Sequence, residues 1–428
     1  MLFLLQLVSS VAIAMVAARR PVWGVSAVLV AAAVLPFDVV RTSFGTSWHP
    51  ATTVALALMV VESVRNPSGV GRAVGRHLVV VAMLATFFVI ALATSWFTGR
   101  AGDIGTLVLQ LLAPALLLLY IRTRAEDTPG LPAVLARLFV VVAAAEALVV
   151  LGVWSGVVPQ PWLSTLEGLR WWGTDSDRMS GTFDHPLVAA LWMSAAVPLC
   201  ASLRIPWWRI TVPVLLVVGV ALTGSRFALL AAVVSVAALI LRARTSSIAK
   251  AGAVVLAVVG MAAFLTSAVA STVTDRLEDD GGSSSARLKS FGLAVEQWGD
   301  TLIIGRGFGA SEQVTRNALI GTTFENPFLM FSVDFGLVAT VLFFGALITL
   351  LLAGRTGRPG RVRGSRTAAF LVLVSIFGFN SLSTNAPIGV LLFVLLALVP
   401  PAVGRRPLAD GVSPDGIQLG PPALVVGR

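Results

Sequence analysis

Thr223-Gly224-Ser225-Arg226 stands between two apolar runs with almost no linker, so two helices must turn sharply there. Ser225 is of a type that caps the helix that follows. Arg226 then falls in the first turn of that helix, where a cation opposes the positive end of the dipole. An anion resolves the conflict, because free backbone N–H groups and a guanidinium together suit phosphate oxygens, which arginine grips through two parallel hydrogen bonds. The competing reading is an arginine that snorkels to lipid headgroups or pairs with a loop carboxylate.

A second group of reactive residue types lies between Thr272 and Asn326 and just beyond. Leu288, Phe291, Val295, Trp298 and Leu302 recur at helical spacing, which predicts an amphipathic helix able to lie along a membrane surface, its polar side opening with Arg287 and Lys289. A solvated helical cap without chemistry carries the same stripe. Gly305-Arg306-Gly307-Phe308-Gly309 predicts a sharp bend, and it is no dinucleotide fingerprint because no strand precedes it. Pro327 suits the first turn of a helix whose outer mouth presents Glu325 and Asn326. Asp334, about two turns deeper, is costly below headgroup level unless paired or lining a wet cavity. It is therefore either functional or neutralised by an arginine such as Arg226. Glu146, near mid-membrane, reads as a structural pair or a protonated acid.

The elements that must position these residues are membrane helices. The 428 residues are 57% hydrophobic and 12% charged, with a mean hydropathy of +0.90; soluble domains carry about 25% charged residues. Apolar runs of spanning length fall near 2–17, 22–40, 48–64, 77–97, 104–121, 134–158, 185–203, 207–223, 226–241, 248–270, 327–352, 367–381 and 385–402. An all-α polytopic membrane protein of about 12–13 transmembrane helices follows. A β-barrel would need alternating segments of about ten residues instead. The formal charge of +10 sits in short arginine clusters between runs, which argues for topology signals and against nucleic acid. Cys200 is the sole cysteine and the three histidines are scattered, so neither a disulfide framework nor a zinc site is expected.

Arginine clusters occupy every second connection, placing those connections in the cytoplasm together with the C-terminus. The alternate connections, 41–47, 98–103, 159–184, 224–225, 271–326 and 382–384, face outward. The two long ones among them, 159–184 and 271–326, hold most of the acidic residues. The first apolar run has Arg19-Arg20 after it and no basic residue before it, so it reads as a retained span with an outer N-terminus. The expected organisation is a transmembrane bundle over 1–271, an extracytoplasmic loop with short amphipathic helices over 272–326, further transmembrane helices over 327–403 and a disordered cytoplasmic tail over 404–428.

These pieces, in this order, resemble the O-antigen ligase and O-antigen polymerase superfamily of bacterial lipid-linked glycan transferases. Thr223-Gly224-Ser225-Arg226-Phe227 is similar to a family pattern Ser-x-Ser-Arg-Gly, with Phe227 in place of the glycine. Gly181-Thr182-Phe183-Asp184-His185-Pro186 resembles a Gly-Thr-Phe motif ahead of a helix. Arg287, Trp298 and the 304–309 bend resemble the family's loop. Glu325-Asn326-Pro327-Phe328-Leu329, followed by Asp334-Phe335-Gly336-Leu337, resembles a His-Asn-x-x-Leu helix opening with its acid and glycine.

The resemblance implies transfer of a glycan from an undecaprenyl-pyrophosphate carrier to an acceptor glycan or lipid hydroxyl, on the outer face of the inner (plasma) membrane, without metal, nucleotide or other cofactor. It implies catalytic roles for Arg226 and Arg287 on the pyrophosphate and for Glu325 at the position of the family's histidine base. Ser225, Arg306, Asn326, His185 and Asp334 are then substrate-binding candidates, His185 also as a substitute base on the same face. Expected partners are the lipid-linked glycan, its acceptor, membrane lipids and other polysaccharide assembly proteins. A transporter or flippase of the same lipid-linked glycans is the alternative function, and an inactive scaffold of a polysaccharide assembly complex is a third.

Overall fold

In the computed structural model, residues 2–43, 48–100, 104–169, 172, 178–242, 281–319, 324–353, 362–378 and 386–400 are described. Among the described residues all regular structure is helical. The principal helices are α1 (Leu2–Ala17), α2 (Pro21–Val34), α3 (Phe37–Ser43), α4 (Pro50–Arg65), α5 (Pro67–Arg76), α6 (Leu78–Phe97), α7 (Ile104–Asp127) and α8 (Leu131–Trp154). They continue with α9 (Pro186–Ala196), α10 (Trp208–Leu222), α11 (Arg226–Arg242), α12 (Gly281–Gln297), α13 (Ala310–Asn317), α14 (Pro327–Asp334), α15 (Leu337–Leu352), α16 (Ser365–Ile376) and α17 (Ala386–Leu398).

Three of these, α6, α7 and α8, are long and apolar enough to cross a membrane, and eight further apolar helices are shorter. The apolar run at 248–270, residues 272–280 of the long loop and the tail 404–428 lie outside the described residues.

A segment that is apolar on every side is buried on every side, and α17 is that segment: each of its residues is buried. α7, α2 and α16 pack around it. Small residues permit the close approach that membrane helices need. At Gly389 of α17, a Cβ would overlap the Gln110 carbonyl of α7. That carbonyl belongs to a π-helical turn, Val108–Leu112, placed one turn ahead of Pro114, whose ring lacks an N–H and crowds the carbonyl four residues back. A second core layer is aromatic, with Phe87 of α6 set 5.4 Å from Phe335 and 4.7 Å from Phe343 between ring centres.

The two sets of connections separated by the arginine pattern each contact their own kind. On the arginine-poor side, the Asp38 N–H reaches Asp184 Oδ2 at 3.3 Å, the Arg178 Nε–H donates to the Thr223 carbonyl, and the Phe308 N–H donates to Ser95 Oγ. On the arginine-rich side, Arg124 bridges Glu62 at 2.8 Å and the Ala18 carbonyl at 2.8 Å, Arg76 pairs with Glu126, and Arg122 donates to the Leu396 carbonyl at the end of α17. That last contact also sets a cation at a helix C-terminus, where the dipole favours it.

Glu62 is 1% exposed, and its other oxygen accepts from Asn66 Nδ2 at 3.0 Å. Replacing it by alanine strips Arg124 of a buried counter-charge, and loss of one partner of such a pair costs about 3 kcal/mol. Glu62→Ala is therefore expected to lower the thermal unfolding midpoint of the detergent-solubilised protein measurably, and an unchanged midpoint would refute this assignment.

Two expected spans are interrupted. The run 22–40 ends as a helix at Val34, and Pro36 separates it from α3. The run 327–352 is not one helix but two, because Gly336 takes a left-handed φ of 94°. A Cβ at Gly336 would come within 2.5 Å of the Ile303 carbonyl oxygen, so the break is fixed by a strand of loop lying directly against it.

Candidate functional site: two clusters

The first cluster forms where α10 meets α11. Gly224 turns the chain at φ 67°, and the Thr223 side chain folds back to donate to the Val220 carbonyl at 2.6 Å. Ser225 precedes α11, and Arg226, half-buried, is that helix's first residue. A segment distant in sequence lies against this turn. Arg178 is 9% exposed; its Nε–H donates to the Thr223 carbonyl at 2.8 Å, and the Met179 N–H donates to Leu222 O at 3.2 Å. A Cβ at Gly224 would stand 3.2 Å from Arg178 Nε, so the glycine serves both the turn and the close guanidinium. Sequence reasoning missed Arg178. The available signal was an arginine immediately ahead of the Met179-Ser180-Gly181-Thr182-Phe183 stretch, in a loop otherwise rich in acids.

The same segment is anchored from below. Gln160 donates to the Gly181 carbonyl at 2.7 Å, and Glu146 of α8 accepts from the Thr182 N–H at 2.7 Å. Gly181 has φ 61°, and a Cβ there would overlap Glu146 Oε1, which explains why only glycine fits the Gly-Thr-Phe stretch. Phe183 is buried against Trp192. His185 caps α9, its Nδ1 accepting from the Leu187 N–H at 3.1 Å. With Nδ1 engaged as acceptor, the neutral ring presents Nε2–H, a donor and not a base.

The second cluster is the loop before α14. The Arg306 and Gly307 N–H groups donate to the Val333 and Asp334 carbonyls at 2.9 and 2.8 Å, and the Leu337 and Val338 N–H groups donate back to Thr301 and Leu302. The bend read from its glycines is thus laid along the break between α14 and α15. Asp334, 1% exposed, closes it: Oδ1 accepts from the Ser311 N–H at 2.7 Å and Oδ2 from the Gly309 N–H at 3.2 Å. These are orphan donors at the start of α13, so the carboxylate works as a helix cap supplied from another helix. Arg100 reaches the same bend through the Phe308 carbonyl at 3.4 Å and Gln313 Oε1 at 2.7 Å.

Trp298 donates to Ser332 Oγ at 2.8 Å, tying α12 to α14. Gly305 cannot carry a side chain, since a Cβ would overlap the Asp334 backbone. Gly305→Ala should therefore cost about 2 kcal/mol through overpacking. Faster proteolysis of the 298–310 stretch would report it, and wild-type resistance would contradict it.

Asn326 caps α14, its Oδ1 accepting from the Phe328 N–H at 2.9 Å, and Glu325 precedes it, half-buried. Arg306 points to Asp300 at 3.4 Å on the surface. Arg287 lies on α12, its side chain outside the described residues. α12 buries its small residues, Ser290 and Ala294, and exposes the apolar stripe, with Leu288 73% exposed and Phe291 and Val295 also open. Of the expected stripe, Leu288, Phe291, Val295 and Leu302 face away from the protein, while Trp298 turns inward to Ser332.

The structure thus gathers Ser225, Arg226 and, through the 178–185 segment, His185 around the α9–α11 end. Arg306, Glu325, Asn326 and Asp334 gather where α12, α13 and α14 pack together. Among the described residues no three His, Cys, Asp or Glu side chains are grouped to hold a metal ion.

No curated protein matches the chain. Residues 211–344, about a third of it, match the family model described as O-Antigen ligase. The matched stretch runs from α10 to α15 and so takes in both the Thr223–Arg226 turn and the 305–309 bend with its Asp334 cap. The match points to membrane glycan ligase chemistry, and over residues 211–344 the resemblance of this chain to the O-antigen ligase superfamily is plain.

Proposed function

We propose that the protein is a membrane glycosyltransferase, a polysaccharide ligase or polymerase, that moves a glycan from an undecaprenyl-pyrophosphate carrier to an acceptor hydroxyl on the outer face of the plasma membrane. The observation that carries this reading is the coincidence of the family match with the turn that puts Arg226 at the start of α11. An arginine at the start of a helix suits the oxygens of a pyrophosphate, which it can grip through two parallel hydrogen bonds.

In the reaction the acceptor oxygen attacks the anomeric carbon, the bond from that carbon to the pyrophosphate oxygen breaks, and the pyrophosphate leaves with the electron pair. Arg226 and Arg287 neutralise the charge that grows on the leaving group. Glu325 takes the acceptor hydroxyl's proton as general base. Ser225, Arg306, Asn326 and His185 contribute through position: Asn326 by fixing the start of α14 and His185 by fixing the start of α9. Asp334 contributes by shaping the bend. The exposed Leu288, Phe291 and Val295 stripe suits a helix resting on lipid beside the site.

A flippase reading asks for a charged relay at mid-membrane. Glu146, the deep acid, is engaged by the neutral Thr182 backbone and hydroxyl, which favours the transferase. Deleting the gene and analysing carrier-linked and surface glycans tests the proposal. Carrier-linked glycan should accumulate on the outer leaflet while long chains (polymerase) or attached chains (ligase) disappear. Unchanged surface glycan, or donor stranded on the inner leaflet, would refute it.

A further inference from the structure

Thr182 Oγ1 lies between two oxygens, 2.6 Å from the Ala33 carbonyl and 2.7 Å from Glu146 Oε2. A hydroxyl has one proton to give. The Ala33 carbonyl can only accept, and it belongs to the last turn of α2, where carbonyls have no partner within the helix. The Thr182 proton therefore goes to Ala33, and the second short contact needs a proton of its own. Only Glu146 can supply it. Were Glu146 ionised, two oxygen lone pairs would face each other at hydrogen-bond distance beside a carboxylate that is 4% exposed.

We infer that Glu146 is protonated and acts as a positioning residue, holding the 178–185 segment and, through Arg178, the turn that carries Arg226. Its Oε1 accepts from the Thr182 N–H at 2.7 Å while Oε2–H donates to Thr182 Oγ1. Three residues along, Met179 and Arg178 join the backbone of Leu222 and Thr223. A neutral acid also answers the cost of a deep charge, which the membrane exacts from an unpaired carboxylate. The inference rests on the proposed transfer reaction only for its activity readout.

Glutamine reproduces the neutral acid's pattern, its carbonyl oxygen accepting from Thr182 N–H and its amide donating to Thr182 Oγ1. The infrared difference spectrum of wild type minus Glu146→Gln, taken on full-length protein in lipid, should show a protonated-carboxyl C=O stretch that moves to lower frequency on deuteration and is missing from the variant. In a deletion strain, Glu146→Gln should restore surface glycan as wild type does, whereas Glu146→Ala should lower it by about 100-fold, the scale of a small misplacement at a reacting centre. A carboxylate band in place of the protonated one, or a glutamine variant as defective as a well-inserted alanine variant, would overturn the inference. If Arg226→Ala leaves surface glycan intact, the transferase reading falls while the infrared result still judges Glu146.

Discussion

Arg226→Ala is expected to reduce glycan transfer by about 100- to 1000-fold while the protein inserts and folds normally. Removing one preorganised group that meets charge growing in the transition state has that scale of effect. The residue is half-buried at the first position of α11, and the fold beneath it is held by other contacts: Gly224 makes the turn, and Arg178 and Met179 clasp it. The substitution thus removes a guanidinium without removing what places it. Arg226→Lys keeps the charge but loses the paired hydrogen bonds, so it should recover only part of the activity. Surface glycan at wild-type level in the alanine variant, with normal membrane abundance, would contradict the role given to this arginine.

Asp334→Leu should be the most damaging single change in the second cluster. It leaves the Gly309 and Ser311 N–H groups without acceptors at a buried helix start, and each orphaned donor costs about 1–3 kcal/mol. The bend, α13 and the α14–α15 break share that carboxylate, so the loop is expected to come loose as a unit. Hydrogen exchange of the 305–317 amides should accelerate strongly while those of α7 and α8 stay protected. Asp334→Asn retains one acceptor oxygen and should lie between wild type and leucine. Protection unchanged in the leucine variant would show that the cap does not hold the loop.

What could be read along the chain was local. Two apolar runs abutting at Thr223–Arg226 announce a tight turn, three glycines within 305–309 announce a bend, and Pro327 after Asn326 announces a helix start. The arginine pattern separated the connections into two sets. What could not be read depends on partners distant in sequence. Arg178 matters because it meets Thr223, and nothing in its own neighbours says so. Asp334 looks like a buried acid seeking an arginine, yet its oxygens serve backbone N–H groups some two dozen residues earlier. The break at Phe335-Gly336 hides in an apolar run, since a single glycine is compatible with helix and only the Ile303 carbonyl packed against it enforces the turn. The α12 stripe shows the limit most clearly: periodicity finds the apolar face at Leu288, Phe291 and Val295, but not whether protein or lipid covers it.

The proposed reaction cleaves a lipid-pyrophosphate donor instead of carrying it across the membrane. The direct measurement uses the purified protein in liposomes loaded with carrier-linked glycan extracted from the deletion strain, together with the membrane fraction of that strain as acceptor. Glycan joined to acceptor should appear in equal amount to undecaprenyl pyrophosphate released, and both should vanish with Arg226→Ala. Donor that crosses the bilayer intact, with no pyrophosphate carrier released, would contradict the account.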